Sequence, residues 1–295
     1  MINKKEMSLL DWVYLVLGVA LLFGMLIRFL PGLQAGFPLN DGGMFLSMIQ
    51  DLKSNGYALP QVTSYNHLQI PYTYPPFGFY AGGILSDVLR LPELDILRWL
   101  PPLVNSFSIL AVFLLASELL GSKPLGALAS AFYALTPGAS SWFIMGGGLT
   151  RSFGSLFLLL AVYSVYRLFR DGDKTRLLPS IIFCGLTVLS HPEAGVHTAA
   201  TCILLWLFMG RSLRSFFHAV IVGAGVLLVT SPWWGTALAY HGFAPFISAL
   251  NSGSYGTPIW LALTGMILGR ESYLPILAVL RVLGLGWGLW KKEYF

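Results

Sequence analysis

Charge is what this sequence has least of. Asp, Glu, Lys and Arg make up 11% of its 295 residues, against roughly a quarter in an ordinary soluble domain. Between Ser215 and Gly269 none of the four occurs. With 56% of the residues hydrophobic, the polar material is too sparse to cover a soluble surface, which excludes a soluble globular protein. The uncharged run is long enough for more than one membrane crossing, at roughly 20 apolar residues each. Cysteine is scarce as well. Cys184 and Cys202 both fall inside apolar segments, which excludes a disulfide framework or a metal knuckle. No Walker loop, nucleophile elbow or His-Glu-x-x-His zincin pattern occurs, so the sequence offers none of the chemistries those motifs carry. The net charge of +5 collects mostly in short loops. It reads as membrane topology, and nucleic acid is not an expected partner.

What is present is a series of apolar segments, at about 11–30, 75–91, 99–118, 125–143, 152–168, 177–191, 194–209, 215–235, 257–269 and 273–290. The expected fold is all-α, a polytopic transmembrane helical bundle forming a single domain over 1–295 with no soluble domain. Trp12 to Ile27, after Lys4 and Lys5, is long for a signal peptide and is read as a retained first helix. Two connections are long, 31–74 and 235–258.

Basic residues in short loops favour the cytoplasmic side. The clusters are Lys4 with Lys5, then Arg167, Arg170, Lys174 and Arg176, then Arg211 and Arg214. An even number of crossings separates them if 75–91, which starts at Pro75-Pro76 and contains Asp87, is a re-entrant or surface-lying helix. Segment 257–269 is too short to cross, since about 13 residues reach roughly 20 Å of a 30 Å core. This count makes the chain a multi-pass protein of the cell membrane with a cytoplasmic N-terminus. It gathers 31–74, 144–151, 190–197 and 235–258 on the extracytoplasmic face.

Most residues able to do chemistry lie in those pieces. Asn40-Asp41-Gly42-Gly43 precedes Met44, Phe45, Met48, Ile49 and Leu52 at helical spacing, a pattern for a helix lying flat in the interface. Asp41 is either its N-cap or an acid that orients or deprotonates an acceptor or binds a metal. Tyr72 and Tyr74 stand in a proline-rich joint, suited to a stiff interfacial turn. Arg151, flanked by glycines where a helix begins, offers its guanidinium fork to a phosphate or snorkels to the interface. In Ser190-His191-Pro192-Glu193-Ala194-Gly195-Val196-His197 the proline fits a first helical turn, with Glu193 and His197 on one face. His191, Glu193 and His197 could hold a divalent metal cation. Alternatively His191 contacts a phosphate while Glu193 orders Arg151, or the segment is simply a capped helix. Trp233, Trp234, Tyr240 and His241 suit an aromatic belt or the wall of a substrate groove.

Asp41 after the first helix, a helical stretch ending in Asn55-Gly56 and the entry Tyr74-Pro75-Pro76 together resemble the membrane glycosyltransferases of the GT-C fold. These include the dolichyl-phosphate-mannose protein mannosyltransferases, the lipid A aminoarabinose transferases and the oligosaccharyltransferases. Arg98-Trp99-Leu100-Pro101, the Leu119-Leu120-Gly121 turn and Ala134-Leu135-Thr136-Pro137 extend the resemblance over roughly residues 8–200. It implies a polyprenyl-phosphate-linked sugar donor, a lipid, glycan or protein acceptor and work on the extracytoplasmic face. On that reading Asp41 is the catalytic acid, Arg151 and His191 receive the donor phosphate, and Asn40, Tyr72, Tyr74, Trp233, Trp234, Tyr240 and His241 line the groove. The sequence departs from the family in having one acid where a pair is usual, and only Arg151 in the second outer loop. Both departures count against a metal held between two acidic loops. The alternatives are a non-catalytic membrane subunit, working with a partner polypeptide on the same frame, and a transporter, for which the internal repeat is missing.

Overall fold

The computed structural model describes residues 8–35, 40–145, 148–251 and 275–291. The chain falls into two compact units, Met1–Gly242 and Phe243–Phe295, where one domain is expected. The division follows Gly242, whose φ of +63° ends the preceding helix.

Helix α1, Leu9–Gln34, starts with a capping box in which Ser8 and Asp11 satisfy each other's backbone amides. After it come α2 (Gly42–Ser54), two short antiparallel strands β1 (Val62–Thr63) and β2 (Ile70–Pro71), and α3 (Phe77–Leu89). Then follow α4 (Glu93–Leu119), α5 (Lys123–Leu135), the single turn α6 (Ser141–Ile144) and α7 (Gly148–Asp171). Helices α8 (Leu177–Ser190), α9 (Pro192–Met209) and α10 (Leu213–His241) complete the first unit. The second contains α11 (Ala244–Asn251) and α12 (Pro275–Lys291). Among the described residues five helices, α1, α4, α7, α9 and α10, are long and apolar enough to cross a membrane. The chain is an all-α, multi-pass membrane protein.

Contacts between helices fix their directions. Trp99 packs on Gly32 and Ile109 on Gly24, so α4 runs back along α1. Arg170 meets Glu118 at 2.7 Å, which places the end of α7 beside the end of α4. At the other end of the bundle Gly78 meets Leu149 and Thr150 at the start of α7, while Gly154 meets His191 at the start of α9. Val229 packs on Gly185 and Ile181 on Gly225, so α8 and α10 run in parallel toward this second end. There Trp233 Nε1 donates to the Thr73 carbonyl at 3.2 Å, and His241 Nε2 bonds the Gln61 carbonyl at 2.7 Å.

Both ends of α3 lie at that same face. Its start touches α7 at Gly78, and its last turns reach the start of α4, where Lys53 bridges Asp87 at 2.8 Å and Glu93. Thirteen residues at about 1.5 Å each therefore lie across the end of the bundle. The basic clusters at 167–176 and 211–214 consequently share the opposite end.

Two expectations change. The apolar stripe of α2 does not lie on lipid. Phe45, Met48, Ile49 and Leu52 are 0–2% exposed, packed with Phe79, Ile96, Leu97 and Leu149. Each such burial contributes roughly 1.5–3 kcal/mol, so neighbouring helices, not lipid, set the angle of α2. The loop expected over 235–258 is helical from 235 to His241 and again from Ala244 to Asn251. Pro232 does not stop α10, and the freed carbonyl of Leu228 accepts from the Ser231 hydroxyl at 2.7 Å. Residues 252–258, and the segment 257–269, lie outside the described residues.

Single cysteines introduced at Ser64, Arg90 and Gly172 test this topology. A membrane-impermeant thiol reagent is expected to label positions 64 and 90 from one side and 172 from the other. Labelling of 64 and 90 from opposite sides would mean that α3 crosses.

Candidate functional site

The corner at which α2, α3, α7 and α9 begin collects the polar residues. Asp41 immediately precedes α2 and is 46% exposed at its side chain, with Oδ2 lying 3.6 Å from Arg151 Nη2. That separation is an ion pair with room between the groups, too long for a direct hydrogen bond. Arg151 stands in the first turn of α7, 18% exposed. Its Cζ sits 4.7 Å from the centroid of the Trp142 ring, so α6 supplies an aromatic face for the guanidinium charge. Arg151 Nε is buried with no hydrogen-bond partner.

Tyr74 is the joint between these pieces. Its hydroxyl lies 3.3 Å from Thr150 Oγ1, and its ring packs edge-on against Phe45, Phe79 and His191. Burial raises its pKa, while the Thr150 hydrogen bond and the nearby Arg151 charge oppose the rise. The phenol is therefore neutral.

His191 caps α9. Its Nδ1 accepts from the Ala194 amide at 3.4 Å, leaving the proton of the neutral ring on Nε2. The residue is 8% exposed. Burial first, then the charges of Arg151 and His197, push its pKa from the ordinary 6.5 down to about 4. Near neutral pH it can donate a hydrogen bond but adds no charge.

Close packing brings these groups together. A Cβ at Gly154 would stand 2.8 Å from His191 Cβ, and one at Gly78 3.2 Å from Thr150 Cγ2. Only a residue without a side chain allows α7 so near both neighbours.

Asp41, Tyr74, Arg151 and His191 thus share one corner. Glu193 and His197 are exposed on α9. Their charges are felt at Tyr74 and His191 respectively, but with His191 they form no three-ligand group able to hold a metal ion. The reason is local: the His191 ring turns inward, with Nδ1 committed to the cap, while its two partners turn outward. The residues present do not fit the expected metal site.

The aromatic expectations divide. Tyr72 is 3% exposed, and its hydroxyl donates to the Met48 carbonyl, so it fastens α2 and is not a groove residue. Trp233 holds Thr73 and lines an apolar cavity of about 270 Å³ with Phe77, Tyr80 and Leu189. Trp234 donates to Leu227 on its own helix. His241 binds Gln61 and Tyr240 packs against His241, so both stand near the first loop and not at Asp41. Asn40 is exposed, with φ at +60° just ahead of α2. Trp142 and Thr150 were not legible as site residues, since neither belongs to a spaced motif.

A family model described as dolichyl-phosphate-mannose-protein mannosyltransferase matches residues 74–235, more than half of the chain. No curated protein matches it.

The His191 cap sets a pH expectation. A base whose pKa is depressed on folding contributes stability that is present above 6.5 and is lost as pH falls toward about 4. His191→Asn keeps a capping side chain without the titration. Thermal unfolding between pH 7 and 4 is expected to show a stability loss smaller by about 2 kcal/mol in this variant than in wild type. Parallel losses would mean that the imidazole does not titrate against burial.

Proposed function

Because the chain belongs to the dolichyl-phosphate-mannose-protein mannosyltransferase family, and is thus a GT-C-type glycosyltransferase, we propose that it moves a sugar from a polyprenyl-phosphate carrier to an acceptor on the extracytoplasmic face. The observation that carries this reading is the Asp41–Arg151 pair, held 3.6 Å apart at the bundle end opposite the basic clusters. Basic clusters favour the cytoplasmic side, which supports a reading in which the pair faces outward.

The reaction is a displacement at the anomeric carbon. An acceptor hydroxyl, oriented by the exposed Asp41 carboxylate, attacks that carbon and passes its proton to the carboxylate as the new bond forms. The bond between the anomeric carbon and the phosphate oxygen breaks, and the polyprenyl phosphate leaves with one more negative charge. Arg151, braced on Trp142 with Nε unpartnered, supplies fixed positive charge where that charge grows. His191 adds a neutral donor from Nε2. Donors fixed in advance stabilise such charge without having to reorganise. An apolar groove of about 370 Å³ between α7, α8, α9 and α10, lined by Val165, Val188, Gly195, Thr198, Cys202 and Val226, supports a lipid-linked donor. It passes Gly195, one turn from His191.

Purified protein assayed with a panel of polyprenyl-phosphate sugars is expected to transfer sugar. Asp41→Asn should lose about 10²–10⁴ of the rate. Arg151→Lys, which keeps the charge without the fork, should lose about tenfold or more. Transfer undiminished in Asp41→Asn would remove the acid from the mechanism. No transfer with any donor, by a folded protein, would favour a non-catalytic role.

A further inference from the structure

A polar cavity of about 400 Å³ opens beside the last turns of α2, between that helix and the hairpin of β1 and β2. It falls in the size range of small-molecule sites, roughly 300–1,000 Å³. Pro60 and Val62 back it, and Asp51, Asn55, Ser64, His67 and Gln69 give it a polar wall. Among the described residues no Lys, Arg or aromatic side chain lines it.

Two of these groups are held from behind. Asp51 Oδ2 accepts from the Thr63 hydroxyl at 2.7 Å and from the Ser64 amide at 2.8 Å, so Oδ1 keeps its accepting capacity. Asn55 Nδ2 donates to the Ala58 carbonyl at 2.9 Å, and its Oδ1 is likewise kept. Each planar group is fixed through one atom and retains another for a ligand. His67 and Gln69 stand on a strained turn, where Asn66, His67 and Gln69 have φ of +52°, +56° and +53°. Asparagine tolerates that region, but histidine and glutamine rarely adopt it. Both side chains are exposed and make no hydrogen bond among the described residues, so no internal bond of theirs offsets the strain. Strain that holds unbonded polar groups around a cavity points to a ligand.

The wall selects the ligand's chemistry. A phosphate would meet the Asp51 carboxylate and no cation. An added peptide strand would find β1 already engaged: the Ser64 amide is bonded to Asp51, and the Gln61 carbonyl accepts from the Tyr72 amide at 2.9 Å and bonds His241. Sugar hydroxyls both donate and accept. They suit two fixed acceptors beside an amide, an imidazole and a hydroxyl that can do either.

We propose that this cavity binds a neutral oligosaccharide. Its role rests on the transfer reading above, under which it holds the sugar chain of a glycan acceptor. Asp51 follows Asp41 by ten residues, about 15 Å along a helix. The Tyr65 ring lies 3.6 Å from where a Cβ at Gly43 would stand, so the turn that carries His67 also reaches the Asp41 end of α2. A glycan seated by its inner residues extends from the cavity toward the Asp41 carboxylate.

The test is a saturation-transfer NMR titration of the full chain with mannotriose, maltotriose and triacetylchitotriose. A polyoxyethylene detergent is used, because a maltoside headgroup is itself a neutral sugar. At least one trisaccharide is expected to bind saturably. Asp51→Asn keeps an oxygen for Thr63 and Ser64 but turns the free acceptor into a donor, and is expected to weaken binding about tenfold or more. Gln69→Gly removes the amide at a φ that glycine adopts freely, and is expected to weaken it severalfold. Asp41→Asn should bind as wild type does. Saturable binding with these losses supports the site even in a protein that transfers no sugar, a result that would sink the transfer reading alone. No binding of any trisaccharide overturns the proposal, whether or not sugar is transferred. So does equal affinity in wild type and both cavity variants, or binding of a Gly-Ser decapeptide in place of every sugar. Should Asp51→Asn fail to fold, the exposed Gln69→Gly decides.

Discussion

The N-terminal end of α7 is the constraint on which the site depends. Within its first two turns Thr150, Arg151 and Gly154 face three different neighbours, and each needs a different kind of closeness. Thr150 must reach the Tyr74 hydroxyl, Arg151 must lie over Trp142 opposite Asp41, and Gly154 must admit His191 within 2.8 Å of where a side chain would begin. Gly78 grants the same approach from α3. Enlarging either glycine would move the helix and with it the arginine, so the packing of small residues and the placing of charge are one problem here.

Around that end the described part of the first loop is anchored by packing and side-chain ties. Helix α2 buries its apolar stripe on α3, α4 and α7, and Lys53 ties its far end to Asp87 and Glu93. The hydrogen bonds that Lys53 donates to Asp87 and Glu93 hold its ammonium in the charged form by raising its pKa. Trp233 and His241 pin the opposite side of the loop to α10. Asp41 therefore stands on a braced support although its own carboxylate is exposed.

Much of this was legible in the residues themselves. Helical spacing of Phe45, Met48, Ile49 and Leu52 announced α2, and His191-Pro192-Glu193 announced the start of α9, because capping and periodicity are local rules. Lipid and protein are equally apolar, however, so the same spacing did not say that α2 packs on helices. The Trp233-Trp234 pair looked like one belt, yet the two rings turn to different partners on successive positions of α10. The metal reading of His191, Glu193 and His197 failed for a related reason: i,i+4 spacing puts Glu193 and His197 together, but the cap commits His191 inward. Trp142 meets Arg151 only through the fold of a loop without a pattern.

The central claim is that Arg151 receives the phosphate of a lipid carrier while Asp41 faces the acceptor. It is tested most directly by the affinity of the leaving group itself. A short-chain polyprenyl monophosphate, titrated calorimetrically into wild type, Arg151→Met and Asp41→Asn in one detergent, separates the two roles. The account predicts binding to wild type, weakening by about tenfold or more in Arg151→Met, and affinity in Asp41→Asn equal to or above wild type, since a competing carboxylate has gone. Equal affinity in wild type and Arg151→Met would contradict it.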